Sequence, residues 1–220
     1  MSELVYAWDG LVGCFSYLGG DDLLPHLNPT RMEPQEKPSY LAYAIQIAAI
    51  MAVFSTALTY VSMYRFIGQP PSGSLFSSAQ IVPLITCLIA GFGGLLVVRN
   101  FAKETQMPMK AGQGAVIGLV TGALITVFMV VLGQVWTQLI DPTMMERFAD
   151  ATIANFEAIP NIPDEQRTAM VDAAYQQFQD QKSFMGIVKA SLMSFVALGI
   201  VNLITGIIGV SVFAKKEEVL

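Results

Sequence analysis

The chain has 220 residues, of which 54% are hydrophobic and only 13% are charged, and its formal net charge is -5. This composition is extreme for a water-soluble domain and predicts a protein embedded in a membrane. The excess of acidic residues lies in one segment, 141–183, and acids and bases balance elsewhere, so no basic arm for phosphates is present and nucleic acid is not expected as a partner.

Residues 1–39 are predicted to form an N-terminal cytoplasmic extension. Apolar and aromatic side chains recur there at spacings of three and four residues, which indicates an interfacial helix. The residues on this face are Leu4, Trp8, Leu11, Phe15 and Leu18. No Lys or Arg precedes Arg31, which disfavours anionic lipid and makes the face a candidate for docking on a partner protein. Packing beneath the chain's own helices is an equal alternative.

Four apolar runs follow, each long enough for a helix that crosses a hydrocarbon layer of about 30 Å. The predicted spans are about 40–64, 77–98, 114–140 and 184–213, in a membrane domain of residues 40–214 followed by a cytoplasmic tail, 215–220. The runs contain no Asp or Glu. Backbone groups at that depth must be satisfied within the chain, so the predicted fold is all-α, an integral membrane four-helix bundle.

The first two spans should form an antiparallel hairpin. The first is expected to begin after Pro38 and to end before Gly68, Pro70 and Pro71, which favour a tight turn. Pro83 removes a backbone donor from the second span and should bend it.

Rows of small residues predict how the last two spans pack. The third span carries glycines spaced four apart, at Gly114, Gly118 and Gly122. The fourth carries a looser row of small residues, Gly186, Ala190 and Ser194, and further on Gly199, Gly206 and Gly209. Lipid gives helices little hydrophobic reason to associate, so close backbone contact along such rows is the usual substitute. We expect the third and fourth spans to pack on each other, with packing on a partner as the alternative.

The segment between these spans, 141–183, is predicted to be an acidic helical hairpin outside the membrane. Asp141 and Pro142 are suited to the N-cap and first position of a helix, and two prolines end that helix near residue 160. No Pro or Gly lies between Asp164 and Met185, so the second arm is expected to continue into the fourth span as one rod of about 50 residues. The carboxylates are too dispersed for a calcium site, and no metal site is predicted.

Basic residues predict the orientation in the membrane. They lie between the second and third spans and after the fourth, at Arg99, Lys103, Lys110, Lys215 and Lys216. Lys and Arg close to span ends mark the cytoplasmic side. Both termini are therefore expected in the cytoplasm, and the acidic hairpin on the other side.

The glycine-spaced third span, the Asp-Pro step, the acidic hairpin and a last span ending in Lys-Lys-Glu together resemble a family of small bacterial inner-membrane proteins catalogued as domain of unknown function 4199. The similarity covers roughly residues 40–217 and includes Gly118, Gly122, Asp141, Pro142 and Lys215. It implies a four-helix protein of the bacterial inner (cytoplasmic) membrane, with 141–183 in the periplasm, and no catalytic residue to transfer. The long aromatic N-terminal segment departs from the family and could suit a particular partner.

The sequence does not favour an enzyme. Catalysis in a membrane needs a nucleophile with a base, a metal cluster or a pair of acids near the interface, and none of these patterns is present. The only histidine is His26, and the two cysteines, Cys14 and Cys87, are predicted to lie about half a bilayer apart. We therefore predict no catalytic residue and no cofactor.

The leading hypothesis is a non-catalytic accessory or structural subunit. Such a subunit would contact the lipid bilayer and would bind other membrane protein subunits through its glycine-rich faces, its acidic hairpin and its aromatic N-terminal segment. Lys189, the only charge inside a span, is expected to reach the membrane surface.

Two alternatives remain. The first is a small-solute transporter or channel acting as an oligomer, in which Gln46, Gln134 and Asn202 would converge on a hydrated cavity. The second is a pigment- or lipid-binding subunit of an energy-converting complex, in which aromatic or polar residues would lie against the bound molecule.

Overall fold

A computed structural model describes residues 39–74, 78–106 and 108–214 of the chain. All the regular elements within these ranges are helices, which confirms the all-α prediction. The docking candidates Leu4, Trp8, Leu11, Phe15 and Leu18, like the tail after residue 214, lie outside the described residues.

Four helical segments are long and apolar enough to cross a membrane, which confirms the predicted membrane helical bundle. The helices of the four spans, in chain order, are α1 (Tyr40–Ile67), α2 (Ser78–Gly91) with α3 (Gly93–Thr105), α4 (Ala111–Val135) with a π-helical turn (Trp136–Ile140), and α7 (Phe184–Phe213). The hairpin between the third and fourth spans consists of α5 (Met144–Glu157) and α6 (Asp164–Lys182). We call this end of the bundle the hairpin end.

The ends of the first span agree with the sequence. Ser39 is the N-cap of α1, and its hydroxyl accepts a hydrogen bond of 3.3 Å from the Leu41 N–H. Gly68 follows the last helical residue, and its N–H donates to the Tyr64 carbonyl at 3.1 Å. A serine before the apolar run and a glycine after it are the usual start and stop of a helix.

The predicted continuous rod from the hairpin into the fourth span is wrong. The backbone of Ser183 is extended, with φ of -80° and ψ of 148°, and this residue separates α6 from α7. Its hydroxyl accepts a hydrogen bond of 2.9 Å from the Gly186 N–H and so caps α7. The prediction considered only Pro and Gly as breaks, whereas serine interrupts a helix by capping the next one.

The first hairpin helix begins later than predicted. Asp141 is not its N-cap; α5 starts at Met144 with Thr143 in the cap position. The Asp141 N–H instead donates to the Trp136 carbonyl at 3.0 Å, which closes the π-helical turn at the end of the third span. The Asp141 carboxylate does not cap α5 and bonds to Tyr64 and Arg147 instead.

The third and fourth spans share the most extensive helix contact in the described residues. A Cβ atom at Gly118 would overlap the backbone carbonyl of Asn202. At Gly114 it would lie 2.5 Å from the Gly206 carbonyl oxygen, and at Gly122 it would lie 2.9 Å from the Leu198 carbonyl oxygen. The glycines therefore allow the two backbones to touch along two turns, as the tandem spacing predicts.

The residues on α7 that meet this ridge are Leu198, Asn202 and Gly206, and not the first row of small residues proposed from the sequence. Ala190 and Ser194 are exposed, and Gly186 lies against the Asp180 carbonyl at the end of α6. Small residues occur in both halves of α7, and those of the first half have the more regular spacing, so spacing alone could not indicate which half contacts α4.

The second span is interrupted at Phe92, between α2 and α3, and the fourth span satisfies the groups freed there. The Gly94 N–H donates to Asn202 Oδ1 at 2.7 Å, and Asn202 Nδ2 donates to the Ala90 carbonyl at 3.2 Å. Thr205 Oγ1 donates to the Gly91 carbonyl at 2.6 Å. Backbone groups at this depth have no water to bind, so these bonds allow the helix to break inside the apolar layer. Pro83, where a bend was expected, lies within α2.

A methyl group at the centre of the ridge should destabilise the bundle. We expect Gly118→Ala to cost about 3 kcal/mol, because its Cβ can be accommodated only if two backbones separate. Gly112→Ala is the matched control on the same helix, since nothing lies within 4 Å of its added Cβ, and it should be neutral or slightly stabilising. Thermal unfolding in detergent measures both. Equal melting temperatures for the two variants would contradict the packing.

Removal of the amide at Asn202 should also destabilise the fold. Asn202→Leu keeps the side-chain size but leaves the Gly94 N–H and the Ala90 carbonyl unpaired, for which we expect a loss of about 2 kcal/mol or more. Gln46→Leu, at an exposed position in the first span, is the control and should have little effect. Denaturation in mixed micelles measures the stability of both variants. An Asn202→Leu protein as stable as the wild type would show that the helix break at Phe92 does not need the hydrogen bonds of the Asn202 amide.

Candidate binding site at the hairpin end

Polar contacts hold the hairpin on the first span. The Tyr64 hydroxyl donates to Asp141 Oδ2 at 2.7 Å, and the Arg147 guanidinium pairs with the same carboxylate. Arg147 also lies over the Tyr64 ring, 5.8 Å from its centroid. The three side chains come from α1, from the end of the third span and from α5, so together they join three elements.

These contacts set the charge state of the carboxylate. The hydrogen bond from Tyr64 is the largest cause that lowers the pKa of Asp141 below its ordinary value. Desolvation opposes it, and the hydrogen bond from Thr143 and the charge of Arg147 lower the pKa further. Lys182 bonds Glu146 at 2.9 Å, and this contact lowers the pKa of Glu146. The ion pair between Lys182 and Glu146 connects the end of α6 to α5.

Asn155 fixes the turn between the first two spans to the hairpin. Its Oδ1 accepts hydrogen bonds from the Ser72 N–H at 3.0 Å and the Gly73 N–H at 3.2 Å, and its Nδ2 donates to the Ser74 carbonyl at 3.0 Å. Gly73 has φ of +63°, and a Cβ there would overlap the Ala158 carbonyl. Only glycine fits this turn against the hairpin.

Aromatic side chains complete the attachment. Phe148 of α5 contacts Phe66 of α1 and Phe178 of α6, with ring centroids 5.5 and 6.0 Å apart. Trp136 of the π-helical turn stacks on Tyr60 at 4.7 Å, with 15° between the ring planes. The hairpin is thus packed on the first span through α5, and α6 contacts α7, the helix that follows it in the chain.

Two cavities lie between the hairpin and the spans. The first, of about 940 Å³, is rich in amides and hydroxyls, and we call it the amide chamber; its polar lining includes Tyr60, Gln134, Gln138, Gln179 and Ser191. The second, of about 830 Å³, we call the apolar chamber; its lining includes Met63, Phe66, Phe156 and Met170. Both are lined by Met145, Phe178, Gln181 and Ser194, so the two chambers are neighbours.

The fourth span changes character along its length. Its buried residues all lie in the half away from the hairpin, from Leu198 to Val210. In the hairpin-end half, Phe184 to Ala197, no residue is buried, and Phe184, Met185 and Met193 are 80%, 71% and 68% exposed. This half-helix lines the amide chamber with one side and leaves its other side uncovered.

The three polar residues of the transporter hypothesis do not converge. Gln46 is exposed, Gln134 lines the amide chamber, and Asn202 is fully buried with its amide bonded to backbone groups. Within the described residues no group of three or more His, Cys, Asp or Glu is placed to hold a metal ion. Of the predicted site residues that the structure describes, the glycine ridge lies in the core, and Gly186, Ala190 and Ser194 line the amide chamber.

Comparison with known proteins identifies the family. The pattern of the family described as "Protein of unknown function (DUF4199)" matches residues 46–216, most of the chain. The chain belongs to the DUF4199 family. No curated protein and no solved structure matches it.

Most of the hairpin-end contacts of this DUF4199 chain could not be found from the sequence. Tyr64 and Asp141 are 77 residues apart, and Ser72 and Asn155 are 83 residues apart, so no local spacing relates them. The Asp-Pro step did draw attention to Asp141, although the proposed role was a helix cap.

The Asp141 contacts predict a pH-dependent stability. A carboxyl group whose pKa is lower in the folded state than in the unfolded chain stabilises the fold at neutral pH, and this stabilisation is lost as pH falls below about 3.8 through the lowered value. Asp141→Asn should therefore melt at a lower temperature than the wild type at pH 7, and the difference should disappear toward pH 3.

Thermal unfolding of both proteins across this pH range measures the effect. Asp172→Asn, which changes an exposed carboxylate on α6, is the control and should follow the wild type. A difference between the wild type and Asp141→Asn that stays constant with pH would show that the charge on Asp141 is not responsible.

Proposed function

We propose that this protein is a non-catalytic accessory subunit of a complex in the bacterial inner membrane, and that it binds a partner's membrane helix through the hairpin-end half of its fourth span. The observation that carries the proposal is the complete lack of buried residues from Phe184 to Ala197, in a helix whose other half is tightly packed. The glycine ridge of the third span is occupied within the chain, so it is not the partner surface.

One side of this half-helix is suited to a partner. Met185, Lys189, Leu192 and Val196 recur at spacings of four and three, and so share one side of α7. We call them the docking face. Ile187, Ser191 and Ser194, on the opposite side, line the amide chamber. A helix on the docking face would therefore leave the chambers open.

Lys189 indicates the chemistry of the partner. It lies about 7.5 Å inside the start of α7 at 1.5 Å per residue, and it pairs with no carboxylate in the part of the chain that the structure describes. A charge inside a span is costly in lipid and is usually paired within a protein. The proposed partner helix carries an Asp or Glu opposite Lys189. The lysine would then pair with this acid, whereas without a partner it would extend to the membrane surface.

The distribution of ion pairs supports the proposed orientation. At the hairpin end, Arg147, Arg167 and Lys182 each pair with an acid of the hairpin segment. Arg65, in the last turn of α1, is a cation at this end that opposes the orientation. The opposite end of the bundle carries Arg99 and Lys103 at the end of the second span and Lys110 just before the third. The positive-inside rule then favours cytoplasmic termini and a periplasmic hairpin. The aromatic N-terminal face would offer the partner a second contact, on the cytoplasmic side.

Charge removal at the docking face tests the proposal. The wild type, carried on a chromosomal tagged copy and purified in mild detergent from its own membranes, should bring with it a different membrane protein in fixed stoichiometry. Lys189→Gln should lose most of that partner, whereas Lys103→Gln, an exposed lysine at the other end of the bundle, should retain it. The partner's sequence should contain an acidic residue within an apolar span.

Two results would contradict the proposal. One is a wild-type protein that purifies only as a monomer or homo-oligomer. The other is a partner retained equally by both lysine variants, because the contact would then lie away from the docking face.

A further inference from the structure

We propose that the two chambers under the hairpin together bind one lipid whose headgroup carries hydroxyls and no net charge, of the glycosyl diacylglycerol class. The headgroup would occupy the amide chamber, and an acyl chain would extend past Met145 and Phe178 into the apolar chamber. This inference does not depend on the proposed partner, because the docking face lies on the opposite side of α7.

The position of the amide chamber points to a ligand that arrives from the bilayer. Its walls include apolar residues of two spans, Val130 on the third and Ile187 on the fourth. The fourth span is covered less in this half than in the other, because none of its residues from Phe184 to Ala197 is buried. A molecule dissolved in the membrane can therefore enter sideways between the two helices.

The charges around the chambers disfavour an anionic headgroup. Lys182 is the cation among the described lining residues, and it is paired with Glu146 at 2.9 Å. Asp150 adds a further carboxylate to the lining. A phosphate or carboxylate headgroup would find no unpaired cation here and would meet two acids.

The polar groups of the amide chamber suit hydroxyls instead. Gln134, Gln138, Gln179 and Gln181 each offer two donors and one acceptor oxygen. The hydroxyls of Tyr60 and Ser191 donate to backbone carbonyls of the chain and can accept a hydrogen bond from a ligand. The Gln138 amide donates to Gln134 Oε1 at 3.0 Å, which orients the pair and leaves further donors and acceptors for a ligand. Sugar or glycerol hydroxyls both donate and accept hydrogen bonds, so they match such a lining.

The apolar chamber suits a hydrocarbon chain. Met63, Phe66, Phe156 and Met170 line it, with Val82 and Pro83 of the second span. Burial of an acyl chain against these side chains removes apolar surface from water, and methionine adapts to chains of different shape. The ligand class therefore follows from a chamber lined by amides and hydroxyls, in which the cation Lys182 is already paired, beside a mainly apolar chamber.

Trp136 provides a direct probe of the site, because it stacks on Tyr60, a residue of the amide chamber. The chain has two tryptophans, Trp8 and Trp136, so Trp8→Phe leaves Trp136 as the only one. Bromine atoms on an acyl chain quench tryptophan fluorescence at short range. Quenching therefore reports which lipid occupies the chambers.

The experiment uses the full-length Trp8→Phe protein in phosphatidylcholine vesicles that contain a small fraction of brominated lipid. The brominated lipid is either glucosyl diacylglycerol or phosphatidylglycerol, with identical chains. We expect half-maximal quenching by glucosyl diacylglycerol at a mole fraction about fivefold lower than by phosphatidylglycerol. One additional net hydrogen bond to the headgroup provides a preference of about this size.

A blocking variant assigns the quenching to the chambers. Ser191→Phe, made in the Trp8→Phe protein, should abolish the preference by filling the amide chamber. Ser211→Phe is the matched control and should retain it: both serines lie on α7 and donate to the carbonyl four residues earlier, but Ser211 is far from the chambers. Ala190→Phe, from an exposed position in the same lining, replaces Ser191→Phe if that variant loses helical content.

Two outcomes would overturn the proposal. Equal quenching by the two brominated lipids would show that the chambers bind bilayer lipids with no selectivity for the headgroup. A preference that persists in both blocking variants would place the bound lipid elsewhere on the surface.

Discussion

Asn202 joins three of the four spans at one place, and the arrangement of the bundle depends on it. Its amide bonds to the two sides of the break in the second span, at Ala90 and Gly94. Its backbone carbonyl lies where a Cβ of Gly118 on the third span would stand. One residue thus satisfies the polar groups of an interrupted helix inside the apolar layer and sets the closest approach of its own helix to two neighbours.

The tight packing around Asn202 explains why the two ends of the bundle differ. The fourth span is held in its second half by glycine contacts and by Asn202, whereas the hairpin that precedes it is fixed to the first span through Tyr64, Asp141 and Asn155. The half-helix between these two anchored regions has no buried residue. The binding functions that we propose, for a partner helix and for a lipid, both use this uncovered segment.

The sequence predicted the parts of this structure that depend on local patterns. Apolar runs of sufficient length identified the four spans, and the tandem spacing of Gly114, Gly118 and Gly122 identified a close helix contact, because both signals depend on residues near each other in the chain. The break at Ser183 was missed, although serine is a common N-cap, because the prediction relied on Pro and Gly as the only stop signals.

Features that depend on distant residues could not be predicted in this way. The sequence marked Asn202 as a polar residue within a span but could not show that a break at Phe92, more than a hundred residues earlier, uses its amide. The chambers likewise arise from side chains of all four spans and both hairpin helices. The spacing of small residues along α7 also could not indicate which half contacts the third span, because the more regular row, Gly186, Ala190 and Ser194, lies in the half that does not meet the glycine ridge.

The proposed function requires that the protein works as a subunit bound to a different membrane protein. Native mass spectrometry of the complex, extracted from its own membranes without overexpression, tests this claim most directly. The account predicts a mass that exceeds the 23.8 kDa of this chain by that of at least one other polypeptide. A mass of one chain, or of a whole-number multiple of it, would contradict the account.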